Sequence, residues 1–177
     1  MQLKSASSRL KSAVRDIPDF PLPGIVFRDI SPLLEDGQLF RLATTLFSDR
    51  YQRKSIDAIV AVDARGFIFG SALAYVLGTG LILSRKKGKL PHKTVTASYD
   101  LEYGKNTLEI HADAIKPGQR VVIIDDVLAT GGTMKATCDL VRQLGGDIIE
   151  VAFLIELTGL GGAAKLTPSP IYSIIQY

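Results

Sequence analysis

The chain has 177 residues, 46% hydrophobic and 22% charged, which is the size of one domain and too apolar for a disordered chain. Gly 16 and Pro 8 are near average, one cysteine excludes an intramolecular disulfide framework, and two histidines with that thiol argue against a zinc cluster. The net charge of +3 and the pI near 9.0 raise a phosphate-bearing partner, but the bases are uneven: residues 1–15 hold four and residues 85–93 hold five without an acid, leaving a body of net charge −6.

Leu3, Ala6, Leu10, Ala13, Val14 and Ile17 share one helical face until Pro18, Pro21 and Pro23-Gly24 end the pattern, which predicts a short packing helix. The stretch is Ser-rich, basic and free of acids, as a transit peptide would be. It lacks the long apolar core of a secretory signal and runs directly into the fold, so packing is the preferred reading. Leu39, Leu42, Ala43, Leu46 and Phe47 predict a second amphipathic helix, and Ile56–Val62 a buried strand. A small-residue helix (Gly70–Leu77) and a short strand (Leu81–Leu83) follow. Thr94–Tyr99 and Thr107–His111 partly alternate around polar Asp100, Glu102, Gly104, Lys105 and Asn106, predicting an antiparallel flap that projects from the sheet. The strand Val121–Ile124, a helix from about Gly132 to Leu144 and the strand Ile148–Ile155 complete the series.

Strands that alternate with helices and read as continuous apolar runs imply an α/β fold whose parallel sheet is covered on both faces. No run approaches the roughly 18 apolar residues of a membrane span. Repeats and linkers are not evident, so residues 1–177 are expected to form one domain in a reducing, cytoplasmic setting.

The stretch Val121-Val122-Ile123-Ile124-Asp125-Asp126-Val127-Leu128-Ala129-Thr130-Gly131-Gly132-Thr133 runs from a strand through two carboxylates into a small-residue loop and a helix start. Backbone amides and hydroxyls of Ala129 to Thr133 are suited to a phosphate, with the positive end of a helix behind them. The spacing fits neither a GxGxxG fingerprint nor a P-loop. An isolated acid pair more often caps a helix or holds a loop. Coupled to a strand-end phosphate loop, Asp125 and Asp126 instead point to ribose hydroxyls.

This stretch resembles the phosphoribosyl-diphosphate (PRPP) signature of the type I phosphoribosyltransferases. Phe20–Pro32, Ala64–Gly70, Arg85–Pro91 and Tyr99–Gly104 are similar to the adenine-specific branch, and the resemblance covers nearly the whole chain. It implies a mostly parallel central sheet flanked by helices, an N-terminal hood over about residues 1–34, and a basic loop and flap over about residues 85–111. It implies transfer of ribose 5-phosphate from PRPP to adenine, yielding AMP and diphosphate, by a homodimer without nucleic-acid or membrane partners. Mg²⁺ is the implied cofactor, held through PRPP rather than by a direct protein site. Another purine phosphoribosyltransferase and a non-catalytic PRPP-sensing regulator are the alternatives.

The resemblance assigns the 5-phosphate to Ala129, Thr130, Gly131, Gly132 and Thr133, and the ribose to Asp125 and Asp126. Diphosphate falls to Asp63, Ala64 and Arg65, with Lys86, Lys87 and Lys89 serving as ligands or as steering charges. Val26, Phe27 and Arg28 are the expected adenine site. Glu102 resembles the family's catalytic acid, Arg65 is placed with it at the reacting centre, and Tyr103 covers the site from the flap. Ala64 stands where relatives often carry Ser, His92 where Gly is common, and Gly162–Lys165 lacks a frequent arginine, a departure expected to touch only the periphery. His92 and His111 receive no catalytic role, and Cys138 is expected to be a small core residue.

Overall fold

The first helix is shorter than its apolar spacing predicts. α1 covers Gln2–Ser12, and Ile17 lies instead in β1 (Arg15–Pro18), which pairs antiparallel with β2 (Val26–Asp29). Interstrand hydrogen bonds, invisible to a helical periodicity, decide the conformation there. The computed structural model describes residues 2–100 and 105–177 and divides into two units, Met1–Phe47 and Ser48–Tyr177. The first unit continues through α2 (Ser31–Glu35) and most of α3 (Gly37–Tyr51). The Asp36 carboxylate caps α3 by accepting the amide hydrogens of Gln38 at 2.8 Å and Leu39 at 3.2 Å.

In the second unit, β3 (Ala58–Val62) and β4 (Gly80–Lys86) flank α4 (Gly66–Leu77) in sequence, and β5 (Thr94–Asp100) and β6 (Lys105–His111) form the expected antiparallel hairpin. β7 (Arg120–Leu128), α5 (Gly132–Gln143), β8 (Asp147–Glu156) and β9 (Ile171–Gln176) follow. The seven strands lie in the order β5-β6-β4-β3-β7-β8-β9, parallel from β4 to β9, with the hairpin antiparallel at one edge. The sequence pattern missed β9, and it ended the β7 strand four residues early because polar Asp125 and Asp126 interrupt the apolar run.

Alternation along the buried strands covers both faces of the sheet. Val60, Val62, Ile123, Val151 and Phe153 pack in one cluster with Met134, Leu140 and Val141 of α5. Ala61 and Ile124 meet Gly70 of α4 on the other face. Among the described residues, no helix is long and apolar enough to cross a membrane.

The sheet order reverses direction between β3 and β7: β3 continues to β4 on one side, and β7 continues to β8 and β9 on the other. Loops that leave the carboxyl ends of these two strands part from each other and open a crevice. A buried network lies toward the amino-terminal half of β8. Glu150, 4% exposed, accepts hydrogen bonds from Arg50 Nη2 at 2.7 Å and from the Tyr51 hydroxyl at 2.8 Å. Arg50 in turn stacks 4.0 Å from the centroid of the Tyr172 ring.

Candidate active site

The crevice between β3 and β7 holds a cavity of about 330 Å³, lined by Asp63, Ala64, Arg65, Lys86, Asp125, Asp126 and Thr133, with Tyr99, Asn106 and Leu108 from the hairpin. Such a volume suits a small-molecule ligand. Its wall depends on a close approach at Gly66. A Cβ there would lie 2.9 Å from both Asp125 Oδ1 and the Ile124 carbonyl oxygen, so a larger residue would push the β3 turn away from β7. With glycine in place the turn closes, and the Arg65 guanidinium donates through Nε to the Asp126 carboxylate.

The two acids follow the alternation of a strand. Asp126 is buried at 4% exposure, whereas Asp125 is half-buried and accepts the Asp126 amide hydrogen at 2.8 Å. Burial, and next the neighbouring Asp126 charge, push the Asp125 carboxyl well above the ordinary carboxylate range, while Arg65 acts weakly the other way. A group in that position gains when a hydroxyl or a cation takes up its charge.

Beyond β7 the chain forms a second cavity of about 90 Å³, lined by Asp125 and the continuous run Val127–Met134. Gly131 caps α5 with φ +78°, in the left-handed region that glycine adopts without strain. The amino terminus of a twelve-residue helix thus faces the loop, an arrangement that favours an anion. Gly162 packs against the same loop, for a Cβ on it would come within 2.1 Å of the Ala129 carbonyl oxygen.

A model of the phosphoribosyl transferase domain matches residues 30–168. An adenine phosphoribosyltransferase of Methylacidiphilum infernorum is 53% identical over 99% of this chain and 98% of its own. The chain belongs to the phosphoribosyltransferase family, on its adenine phosphoribosyltransferase branch. A crystal structure of the Thermoanaerobacter pseudethanolicus adenine phosphoribosyltransferase superposes with a TM-score of 0.93 at 47% identity, covering 97% of this chain and 99% of that one. The Saccharomyces cerevisiae enzyme, complexed with adenine and an imino-altritol bisphosphate, gives 0.92 at 38% identity over 97% and 99% of the two chains.

Within this phosphoribosyltransferase, the expected site residues fall into four groups. Asp63, Ala64, Arg65, Lys86, Asp125, Asp126 and Ala129–Thr133 line the two adjoining cavities. Lys87 and Lys89 are exposed on the loop after β4 and do not line the larger cavity. Val26, Phe27 and Arg28 belong to β2 of the first unit: Val26 is exposed, Phe27 packs edge-on against Phe20 with centroids 5.2 Å apart, and Arg28 pairs with Asp16. Glu102 and Tyr103 lie outside the described residues.

Sequence reasoning missed Tyr99 and Gly162. The Thr133 hydroxyl donates to the Tyr99 phenol oxygen at 3.0 Å, which ties the hairpin to the phosphate loop. Val95, Ala97 and Tyr99 alternate toward the core, so the period-2 pattern of the strand carried that signal. Gly162 carried none, and its close approach to the Ala129 carbonyl is a contact that only the structure shows.

Proposed function

We propose that this protein is an adenine phosphoribosyltransferase that converts adenine and PRPP to AMP and diphosphate in purine salvage. The observation that carries the reading is the crevice where the Arg65 turn meets the Asp125–Asp126 strand end and the loop into α5, since it offers separate grips for two anionic ends of one ligand. The near full-length identity to adenine phosphoribosyltransferases supports adenine as the base.

In this reading Ala129, Thr130, Gly131, Gly132 and Thr133 hold the 5-phosphate with backbone amides and hydroxyls. Asp125 and Asp126 accept hydrogen bonds from the ribose hydroxyls. Asp126 also orients Arg65, whose planar fork meets the diphosphate beside Asp63 and Ala64. Lys86, Lys87 and Lys89 supply further positive charge at that end. Breaking the bond at the anomeric carbon places negative charge on the departing diphosphate and positive character on the ribose. Cations around diphosphate therefore stabilise the transition state more than the ground state. The N9 nitrogen of adenine attacks the anomeric carbon while Glu102 exchanges a proton with the purine ring, and Tyr103 covers the site. Val26, Phe27 and Arg28 of β2 are the residues for the base.

Mg²⁺ would be held through PRPP rather than by a direct protein site: Asp125 and Asp126 hold the ribose to which the diphosphate is joined, and the charge of the ion would offset that of the leaving diphosphate.

A cytoplasmic homodimer completes the proposal. Ile68, Tyr75 and Val76 of α4 and Leu81 of β4 are large hydrophobic residues that are 36%, 88%, 55% and 38% exposed, surface that a second copy would cover.

Diphosphate release measured with adenine, guanine, hypoxanthine, xanthine and orotate tests the reading. Turnover with adenine is expected. Activity with a 6-oxopurine and none with adenine would overturn it in favour of another purine phosphoribosyltransferase. Salt-dependent DNA binding without any turnover would favour a PRPP-sensing regulator.

A further inference from the structure

Residues 85–93, the end of β4 and the loop after it, carry five bases, yet the loop backbone is gathered onto one buried carboxylate. Glu109 of β6 is 4% exposed. Its Oε1 accepts the amide hydrogens of Lys89 and Leu90, each at 2.9 Å, and its Oε2 accepts the Thr94 hydroxyl at 3.3 Å. The same peptide segment is held from the other side. Arg85 Nη1 donates to the Lys89 carbonyl at 3.3 Å while Arg85 Nε donates to Asp63 Oδ2 at 3.1 Å. Lys87 donates its amide hydrogen to the Thr107 carbonyl at 2.9 Å, continuing the pairing with β6.

A run of like charges is ordinarily a solvated, self-repelling segment with many conformations. This one is indexed at both ends: to the flap strand through Glu109, and to the cavity-lining Asp63 through Arg85. Burying a carboxylate is costly unless donors converge on it. An aliphatic residue at this buried position of β6 would avoid that cost, so what the carboxylate adds is the shape of the loop. Burial pushes the Glu109 carboxyl up, but the amide and hydroxyl donors outweigh it and leave the group below the ordinary range, hence ionised when the loop is closed on it.

We propose that Glu109 is a positioning residue for the diphosphate end of the substrate, presetting the backbone of the basic loop so that Lys86, Lys87 and Lys89 meet the anion already ordered. The inference rests on the PRPP reading of the site. Its physical basis is preorganisation: ordering done in folding is not charged against binding.

The test compares Glu109→Gln and Glu109→Ala with the unmodified protein, reading the KM values for PRPP and adenine, kcat, and the Kd values for diphosphate and AMP. Gln keeps an oxygen for the two amides but loses the charge and one acceptor, so the PRPP KM and diphosphate Kd rise about threefold. Ala removes every acceptor and raises both about tenfold, which corresponds to about 1.4 kcal/mol and lies near the worth of a hydrogen bond to a charged group. AMP engages the phosphate loop and not the basic loop, so its Kd and the adenine KM stay within about twofold by the same arithmetic.

An equal loss of AMP and diphosphate affinity would mean a merely structural role and would overturn the proposal. Amide exchange on the unmodified protein serves even if Glu109→Ala does not fold. Protected Lys89 and Leu90 amides without diphosphate are expected, and free exchange there overturns preorganisation. Failure of the unmodified protein to make AMP from adenine and PRPP would sink the parent reading. Normal turnover with an unchanged PRPP KM in both variants would sink this inference alone.

Discussion

Gly162→Ala probes how tightly the phosphate loop is buttressed. The added Cβ would sit 2.1 Å from the Ala129 carbonyl oxygen, 3.0 Å from the Gly131 nitrogen and 3.0 Å from Leu128 Cδ1. A carbon and a carbonyl oxygen approach to about 3.3 Å in ordinary contact, so one backbone must yield by about 1.2 Å. Both contacted backbones belong to the loop proposed to hold the 5-phosphate. A misplacement of about 1 Å in a binding site can cost on the order of 10²-fold in rate, and overpacking costs about 1–3 kcal/mol of stability. In a chain of this length about 2 kcal/mol lowers Tm by about 4–8 °C. Steady-state assays with varied PRPP should therefore show kcat/KM down about 10²-fold, with AMP affinity falling in parallel.

Gly161→Ala is the control, because Gly161 has φ +64° with nothing within 4 Å of its would-be Cβ. It pays about 1–2 kcal/mol of left-handed backbone strain, lowering Tm without moving the loop. The reasoning is refuted if Gly162→Ala binds AMP and uses PRPP like the unmodified protein, or if Gly161→Ala loses as much activity.

Glu102→Leu should lower kcat by about 10²-fold or more while changing the PRPP KM little, as loss of a proton-transfer group does; full turnover would remove Glu102 from the mechanism. Arg65→Ala should raise the PRPP KM, and an unchanged value would contradict its diphosphate role. Glu150 tests a different part of the molecule. Burial raises its carboxyl, but hydrogen bonds from Arg50 and Tyr51 and the charges of Arg50 and Lys54 outweigh this and hold it below the ordinary range. A depressed folded pKa adds stability above the unfolded value of about 4.3, and that stability is lost as pH falls through the folded pKa. Thermal melts from pH 6 to 3 should therefore fall more steeply for the unmodified protein than for Glu150→Gln, and parallel curves would refute the assignment. Burial pushes the Cys138 thiol up to about 11, so a thiol reagent at pH 8 should react only on unfolding; rapid labelling of the folded protein would show the site to be open.

The loop Ala129–Thr133 and the acids before it were legible because their chemistry is contiguous: strand, carboxylates, amides and helix start lie within thirteen residues. The alternation of aliphatic runs and amphipathic segments likewise announced the parallel sheet, since burial on both faces leaves a mark on every strand residue. Local pattern failed where partners are distant in sequence. Ile17 of β1 was read onto a helical face because its apolar spacing continues that of α1 while its pairing with β2 leaves no local mark, and β7 was cut short at the acids that interrupt its apolar run.

By itself, then, the amino-acid sequence determined an α/β sheet and the chemistry of one anion-binding loop, both written in short-range periodicity and spacing. Tertiary structure alone decided that Arg65 meets Asp126 across 61 residues, that Gly162 seats against Ala129, and that Glu109 gathers the basic loop. Those contacts arise where strands adjacent in the sheet but remote in the chain bring their ends together, and no local property of either partner encodes the meeting.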